Sequence, residues 1–327
     1  MTDTIRWGIM GTGFIARTFT RDLLLAGFAV QAVGSRTQDT ADAFAAEFDL
    51  PTAHGSYEAL VHDADVDVVY VATPHPEHHP NAVLALDGGK HLLIEKPITL
   101  NANQARDLAR LGAEKRLLVL EAMWTRFLPH MLRIREILGD GRLGDVRSFS
   151  ADNMQPVSAD PAHRINALEL GGGALLDLGI YPISFASQLF GSPASIVAKA
   201  SFKETGADAQ VATIFQYGGG QFATTISASN SRGRNVATIV AAEGRIEIDA
   251  IWFLPARFRV YNGANEVIET YCSSVSGRGM QYQAAETERM IRAGRTISDI
   301  MPMEESVSIM MTLDTIRKQI GLRYPSE

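Results

Sequence analysis

Three groups of residues in this chain have types and spacings that could do chemistry: Gly11, Gly13 and Ala16; Lys96 between Glu95 and Pro97; and Asp177 with Tyr181. The first group closes the apolar run Ile5–Met10. A strand turning there into a helix would aim backbone N–H groups at a phosphate. Gly11 would allow the tight turn, Gly13 would let the phosphates approach the backbone, and Ala16 would let helix pack on strand. An ordinary strand–turn–helix carries the same spacing, so the motif needs context.

Context comes from the end of the next β-branched run, Phe28–Ser35. A dinucleotide-binding unit places an Asp or Glu about 20 residues past the glycines to hold the ribose 2′-hydroxyl. Here the residues are Gly34, Ser35, Arg36 and Thr37. An arginine in place of a carboxylate favours a 2′-phosphate, which a guanidinium binds by charge-assisted hydrogen bonds, with a hydroxyl adding another. NADP is thus expected over NAD; the competing reading of Arg36 is a solvated loop residue.

Lys96 follows the apolar run His91–Ile94. If that run is a parallel strand, Lys96 lies at the carboxyl edge where open α/β sheets bind ligands, and Pro97 keeps it extended. A lysine held there can point at a substrate oxygen; a surface lysine beside a turn proline is the alternative. Asp177 and Tyr181, in GGGALLDLGIYP, share a face if the segment is helical, although Gly179 and Pro182 predict an irregular helix. A carboxylate and a phenol among so many leucines and isoleucines need partners, and a structural Tyr–Asp pair would answer that need equally. In EAMWTRFLP, Trp124 and Arg126 could form a wall beside a nicotinamide and an anchor for substrate or phosphate, or belong to interdomain core.

The elements that must position these residues can be read in order. Arg17–Ala26, Thr40–Phe48, Pro80–Leu86 and Asn103–Lys115 have helical spacing, and Ser56–Val61 reads as part of a further helix. Val66–Ala72, ending at Thr73-Pro74, and Leu117–Leu120 complete an alternating strand–helix pattern that requires a doubly wound parallel sheet over residues 1–122. From Val146 onward, eight short β-branched or alternating segments, several separated by glycine turns, predict a large, mainly antiparallel open sheet in an α+β domain spanning 123–327. Helices are expected at Ala174–Phe190, Tyr282–Ala293 and Glu304–Ile320, the last able to pack back on the first domain. A sheet with one helical face leaves its other face wanting cover, which predicts a homodimer or homotetramer through the second domain.

Composition narrows the function classes. A chain of 327 residues, 46% apolar, can build two cores. A net charge of −7 with interspersed signs gives no nucleic-acid footprint, and no stretch reaches the ~20 apolar residues of a membrane span. The single cysteine, Cys272, reads as an ordinary thiol, and with no leader-like N-terminus the expected location is the cytoplasm. His75, His78 and His79 invite a metal reading. They lack a second ligand cluster, so His75 is assigned to the cofactor edge, His78 or His79 to a helix start, and no metal is expected.

Taken together, Gly11-x-Gly13-x-x-Ala16, the Thr73-Pro74 strand end, GKHLLIEKP over residues 89–97 and GGGALLDLGIYPI over 171–183 resemble the glucose-fructose oxidoreductase/inositol dehydrogenase (Gfo/Idh/MocA) family across nearly the whole chain. EAMWTRFLP and the tyrosine of DLGIYPI resemble its dihydrodiol dehydrogenase and glucose-fructose oxidoreductase branch. The inositol dehydrogenase branch has His at the position of Tyr181. The resemblance implies a Rossmann domain holding NADP through Gly11, Gly13, Phe14, Ile15, Ser35, Arg36, Thr73, Pro74, His75, His78, Glu95, Lys96, Trp124 and Arg126. It implies hydride transfer between nicotinamide C4 and a secondary alcohol or ketone, with Tyr181 as acid/base, Lys96 lowering the phenol's pKa, and Asp177 orienting the lysine or a substrate hydroxyl. A polyhydroxylated, sugar-like or trans-dihydrodiol substrate would meet Lys96, Trp124, Asn153, His163, Arg164, Asp177 and Tyr181. The competing class is a non-catalytic dinucleotide-binding sensor or scaffold, which would have no physical need for Lys96, Asp177 and Tyr181.

Overall fold

A computed structural model describes residues 4–325 and 327, and the chain divides into two compact units. The first comprises Met1–Trp124 and Val275–Val307. Its core is a six-stranded parallel sheet of β1 (Arg6–Met10), β2 (Ala29–Gly34), β3 (Thr52–His54), β4 (Val68–Val71), β5 (His91–Glu95) and β6 (Val119–Ala122), in the order β3-β2-β1-β4-β5-β6. β4 and β6 are buried at every position, as strands covered on both faces by helices must be. The strand order reverses between β1 and β4, where open sheets of this kind leave a crevice at their carboxyl ends.

The helices alternate with the strands as the hydrophobic spacing requires. They are α1 (Phe14–Leu25), α2 (Gln38–Phe48), α3 (Tyr57–Val61), α4 (His78–Asp87) and α5 (Ala102–Lys115). Thr37, Ser56 and Asn101 cap α2, α3 and α5 with side-chain oxygens, which places two of these helix starts a residue or two ahead of the apolar pattern. α1 begins at Phe14 rather than Arg17, because Gly13 is its N-cap.

Val275–Val307, late in the chain, groups with the first unit. That segment carries α8 (Gln281–Arg292), and its attachments are specific. Trp7 Nε1 donates to Glu288 Oε1 at 3.0 Å, and the Asp22 carboxylate accepts the backbone N–H groups of Arg278 and Met280 at 3.0 and 2.9 Å. Trp7 also packs edge-on to Phe19, which stacks on Tyr70 with centroids 3.8 Å apart, so the anchor lies in the aromatic core of this unit.

The second unit comprises Thr125–Ser274 and Ser308–Glu327. Its eight strands are β7 (Val146–Met154), β8 (Ser195–Phe202), β9 (Asp208–Gln216), β10 (Phe222–Ala228), β11 (Ala237–Ala241), β12 (Gly244–Ile248), β13 (Phe258–Asn262) and β14 (Val267–Tyr271), in the order β14-β13-β12-β11-β7-β10-β9-β8. Among the described residues of this sheet, only the β7–β10 pair is parallel. Alternation decides the faces: Phe215, Ala223 and Thr225 are buried, while Val197, Ile214 and Ile226 on the other face are each about half exposed. On the buried side α7 (Ile180–Phe190) sets Phe185 between Phe149 and Trp252. The connecting helix α6 (Pro129–Gly139) follows the Trp124–Phe127 turn. The last helix, α9 (Met303–Ile320), starts in the first unit and ends in the second.

Candidate active site

Within the first unit, parallel pairing brings the ends of β1, β2, β4 and β5 to one edge, and with them Gly11, Ser35-Arg36, Thr73 and Lys96. Gly11 has φ +108°, and a Cβ there would lie 2.9 Å from Ala72 O, so only glycine passes this turn. Gly13 is different. Its backbone is extended, and a Cβ would meet no atom within 4 Å. Beyond it, α1 has no side-chain cap and no acidic residue in its first turn, and Phe14 is 76% exposed. Open space before a helix N-terminus with N–H groups to satisfy fits a pyrophosphate.

At the end of β2, Ser35 is buried and its hydroxyl lies 2.6 Å from Thr40 Oγ1. Arg36 is exposed. Its charge reaches the Tyr57 phenol, opposing the upward push that burial gives that group. The edge therefore carries a cation and no carboxylate at the position that meets the adenosine ribose in sheets of this kind.

The histidines divide. His78 is fully buried, with Nδ1 2.8 Å from Pro97 O and Nε2 2.9 Å from Thr73 O, so it ties the end of β4 to the segment after Lys96. Burial pushes it down to about 4, which keeps it neutral. His75 sits beside it, ring centroids 5.6 Å apart, and His79 Nε2 lies 2.9 Å from Asp107. Among the described residues no cluster of His, Cys, Asp or Glu is placed to hold a metal ion.

Lys96 is half-buried and joined to Pro97 by a cis peptide bond. The residues around it are locked. Glu95 is buried and accepts a hydrogen bond from the Tyr70 hydroxyl, and Glu121 Oε1 accepts the Ile98 N–H at 3.1 Å. Glu95 thus serves the core of the sheet. Trp124 is buried, with the Arg278 guanidinium 5.2 Å above its ring.

Within the second unit, the helix expected from Ala174 is a π-helical turn over Leu175–Gly179 that runs into α7. Pro182 has no N–H to return to Leu178 O, and the buried Asn153 amide donates to that oxygen instead, at 3.2 Å. Asn153, expected among the substrate contacts, is fully buried and holds the helix start. π-Turns are frequent at functional sites, and this one carries Asp177. Asp177 is 5% exposed and pairs with Arg164 Nη2 at 3.1 Å. Tyr181 is 9% exposed, its ring 5.6 Å from that of Phe253. His163 Nδ1 accepts the Ile165 N–H at 3.2 Å. Arg126 is buried, its Nε donating to Ser184 Oγ at 3.0 Å and Nη2 to Ser184 O at 2.7 Å; it braces α7 from inside.

Two residues that the sequence did not single out grip the same segment. Asp208 accepts the Leu175 N–H at 2.6 Å, and the Tyr324 hydroxyl donates to Gly172 O at 3.1 Å. Both are remote in sequence from what they hold, and neither sits in a motif.

A parallel sheet with an open glycine turn at its carboxyl edge, followed by a domain built on one large sheet, is the architecture of a nucleotide-binding fold joined to a second domain. A family model described as "Oxidoreductase family, NAD-binding Rossmann fold" matches residues 5–122, and one described as "GFO/IDH/MocA C-terminal domain" matches residues 131–247. Trans-1,2-dihydrobenzene-1,2-diol dehydrogenase of Mus musculus is 35% identical over 333 residues, covering 99% of each chain. D-xylose 1-dehydrogenase (NADP(+)) of Hypocrea jecorina is 32% identical, covering 98% of this chain and 93% of that one. Among solved structures, a 3-ketoreductase from Actinomadura kijaniata in complex with NADP and TDP-benzene superimposes with TM-score 0.85 at 25% identity, covering 97% of this chain and 98% of that one. The chain belongs to the Gfo/Idh/MocA oxidoreductase family and is an NAD(P)-binding oxidoreductase.

Proposed function

We propose that this protein interconverts a secondary alcohol and a ketone on a sugar-like or trans-dihydrodiol substrate, with NADP as its cofactor. The observation that carries the reading is the shared carboxyl edge of β1, β2, β4 and β5, which gathers an open glycine turn, an exposed arginine without a carboxylate and a half-buried lysine. The names of the relatives support it. Two act on a dihydrodiol and on D-xylose, and NADP appears with the xylose enzyme and with the ketoreductase.

Gly11, Gly13 and the N-terminus of α1 would hold the pyrophosphate through Phe14 and Ile15 N–H groups, and Arg36 the 2′-phosphate. The nicotinamide supplies or takes up a hydride at C4. Tyr181 gives its phenolic proton to the substrate oxygen when a ketone is reduced and takes it back when an alcohol is oxidised. A free phenol titrates near ~10 and is a poor base at neutral pH; the Lys96 ammonium on the same substrate oxygen favours the phenolate. Asp177, held by Arg164, orients a substrate hydroxyl or the lysine. The exposed face of the second unit's sheet, with Val197, Ile214 and Ile226, would form a homodimer or homotetramer.

The test is a panel of sugars and dihydrodiols assayed for NADP reduction, and the matching ketones for NADPH oxidation. Lys96→Ala should lower turnover by at least about 100-fold while NADPH still binds. Turnover at the wild-type rate in Lys96→Ala would remove the lysine from the mechanism.

A further inference from the structure

The run Gly171-Gly172-Gly173 immediately precedes the π-turn and α7, and its conformation is dictated by a buried carboxylate on another strand. Asp208, the first residue of β9, is fully buried. Its Oδ2 accepts the Leu175 N–H at 2.6 Å, and the Ala174 N–H also faces the carboxylate. Gly173 has φ +130°, and a Cβ there would fall 1.9 Å from Asp208 Oδ1, so no side chain is compatible with the carboxylate's position. One residue earlier, Gly172 O accepts the hydroxyl of the buried Tyr324. Glycine at 173 thus lets a carboxylate from the sheet close on N–H groups that the turn itself cannot satisfy.

We propose that Asp208 is a positioning residue for the reaction: by capping the start of the π-turn it fixes where Asp177 and Tyr181 stand. The proposal rests on Tyr181 being the acid/base group. The cap is strongest when Asp208 is ionised, because an anion meets the positive end of the helix and a protonated carboxyl does not. Burial pushes Asp208 up to about 6 against the pull of those N–H groups and of Lys203. The other groups that bear on it are few. Lys203 donates to Asn166 Oδ1, and Tyr324 is pushed well up by burial and feels Asp208, Asp177 and the Arg317–Glu327 pair. Asp177 and Glu327 are the other carboxylates in this neighbourhood, so the acid limb is assigned by comparing wild type with Asp208→Asn. Activity should therefore fall as pH drops through about 6 and the cap protonates.

The experiment compares wild type, Asp208→Asn, Tyr324→Phe and Tyr181→Phe, all as the full chain. In Asp208→Asn an amide oxygen still accepts the N–H but the charge is gone. We expect kcat at pH 7.5 to fall about 10-fold, as a misplaced catalytic group requires, with NADPH affinity unchanged and the acid limb near pH 6 absent from the kcat profile. Tyr324→Phe, which leaves the carboxylate in place, should lower kcat in the same direction while retaining the acid limb; it serves as the reporter if Asp208→Asn does not fold. Wild-type kcat in Asp208→Asn, or an acid limb that persists there unchanged, overturns the proposal, and so does wild-type kcat in Tyr324→Phe. Reduced kcat in Asp208→Asn with full activity in Tyr181→Phe overturns the Tyr181 assignment and leaves Asp208 as the residue that orders the segment.

Discussion

Replacing Arg36 with alanine should separate NADP from NAD by an amount that can be worked from its surroundings. Arg36 ends β2 on an exposed turn, beside a serine whose hydroxyl is already shared with Thr40. A guanidinium–phosphate pair is a charge-assisted bond worth about 1.5–3 kcal/mol. Exposure and salt screening put this one at the lower end, about 1.5–2 kcal/mol. With each 1.4 kcal/mol a factor of ten, the Kd for NADPH should rise about 10- to 30-fold. NADH presents a neutral hydroxyl instead, and its Kd should move by less than about twofold. Titration calorimetry with both nucleotides reads the difference. Repeating it between about 0.05 and 0.5 M salt should shrink the wild-type preference, since the Debye length falls from about 14 to about 4 Å, close to the contact distance of the pair. Equal weakening of the two nucleotides, or a preference that ignores salt, would refute the assignment of a 2′-phosphate to Arg36.

Two further outcomes follow from burial. His78 and His130 are both pushed down to about 4 by burial, so each favours the neutral form in the folded protein and its contribution is present above pH 6.5 and lost as pH falls toward 4. By linkage the loss is at most roughly 3 kcal/mol for each, seen as a falling urea midpoint; His78→Asn should flatten that fall, and an identical slope in the variant would contradict it. On the exposed sheet face, size-exclusion chromatography with light scattering should give a dimer or tetramer. Ile214→Lys with Ile226→Lys should give monomer, and monomeric wild type at micromolar concentration would exclude this interface.

The first unit was legible because a parallel sheet writes itself as apolar runs punctuated by glycine and proline, and β1, β2, β4 and β5 lie where those runs do. β3 escaped because it has three half-buried residues at the sheet edge, too few to carry a period. The second sheet showed in its alternation, most clearly in β9 and β10. What could not be read was long-range. The amphipathic pattern of α8 gives a buried face without saying which core buries it, and that was decided by Glu288 meeting Trp7 and by the Asp22 carboxylate. At the site, Lys96, Asp177 and Tyr181 stand out by motif, whereas Asp208 and Tyr324 act through backbone groups far along the chain and leave no local signature. Asn153 and Glu95 look like pocket residues in one dimension; the structure adds that each is buried, with Asn153 donating to Leu178 O and Glu95 accepting from the Tyr70 hydroxyl.

Central to this account is a single phenolic proton. Tyr181→Phe removes it while the ring and its contact with Phe253 remain. Measured as the single-turnover rate of NADPH oxidation on the best ketone found in the panel, beside NADPH affinity for the same preparation, the variant should bind the nucleotide as wild type does and lose at least about 100-fold in rate. A Tyr181→Phe enzyme that binds NADPH and turns over at the wild-type rate would contradict it.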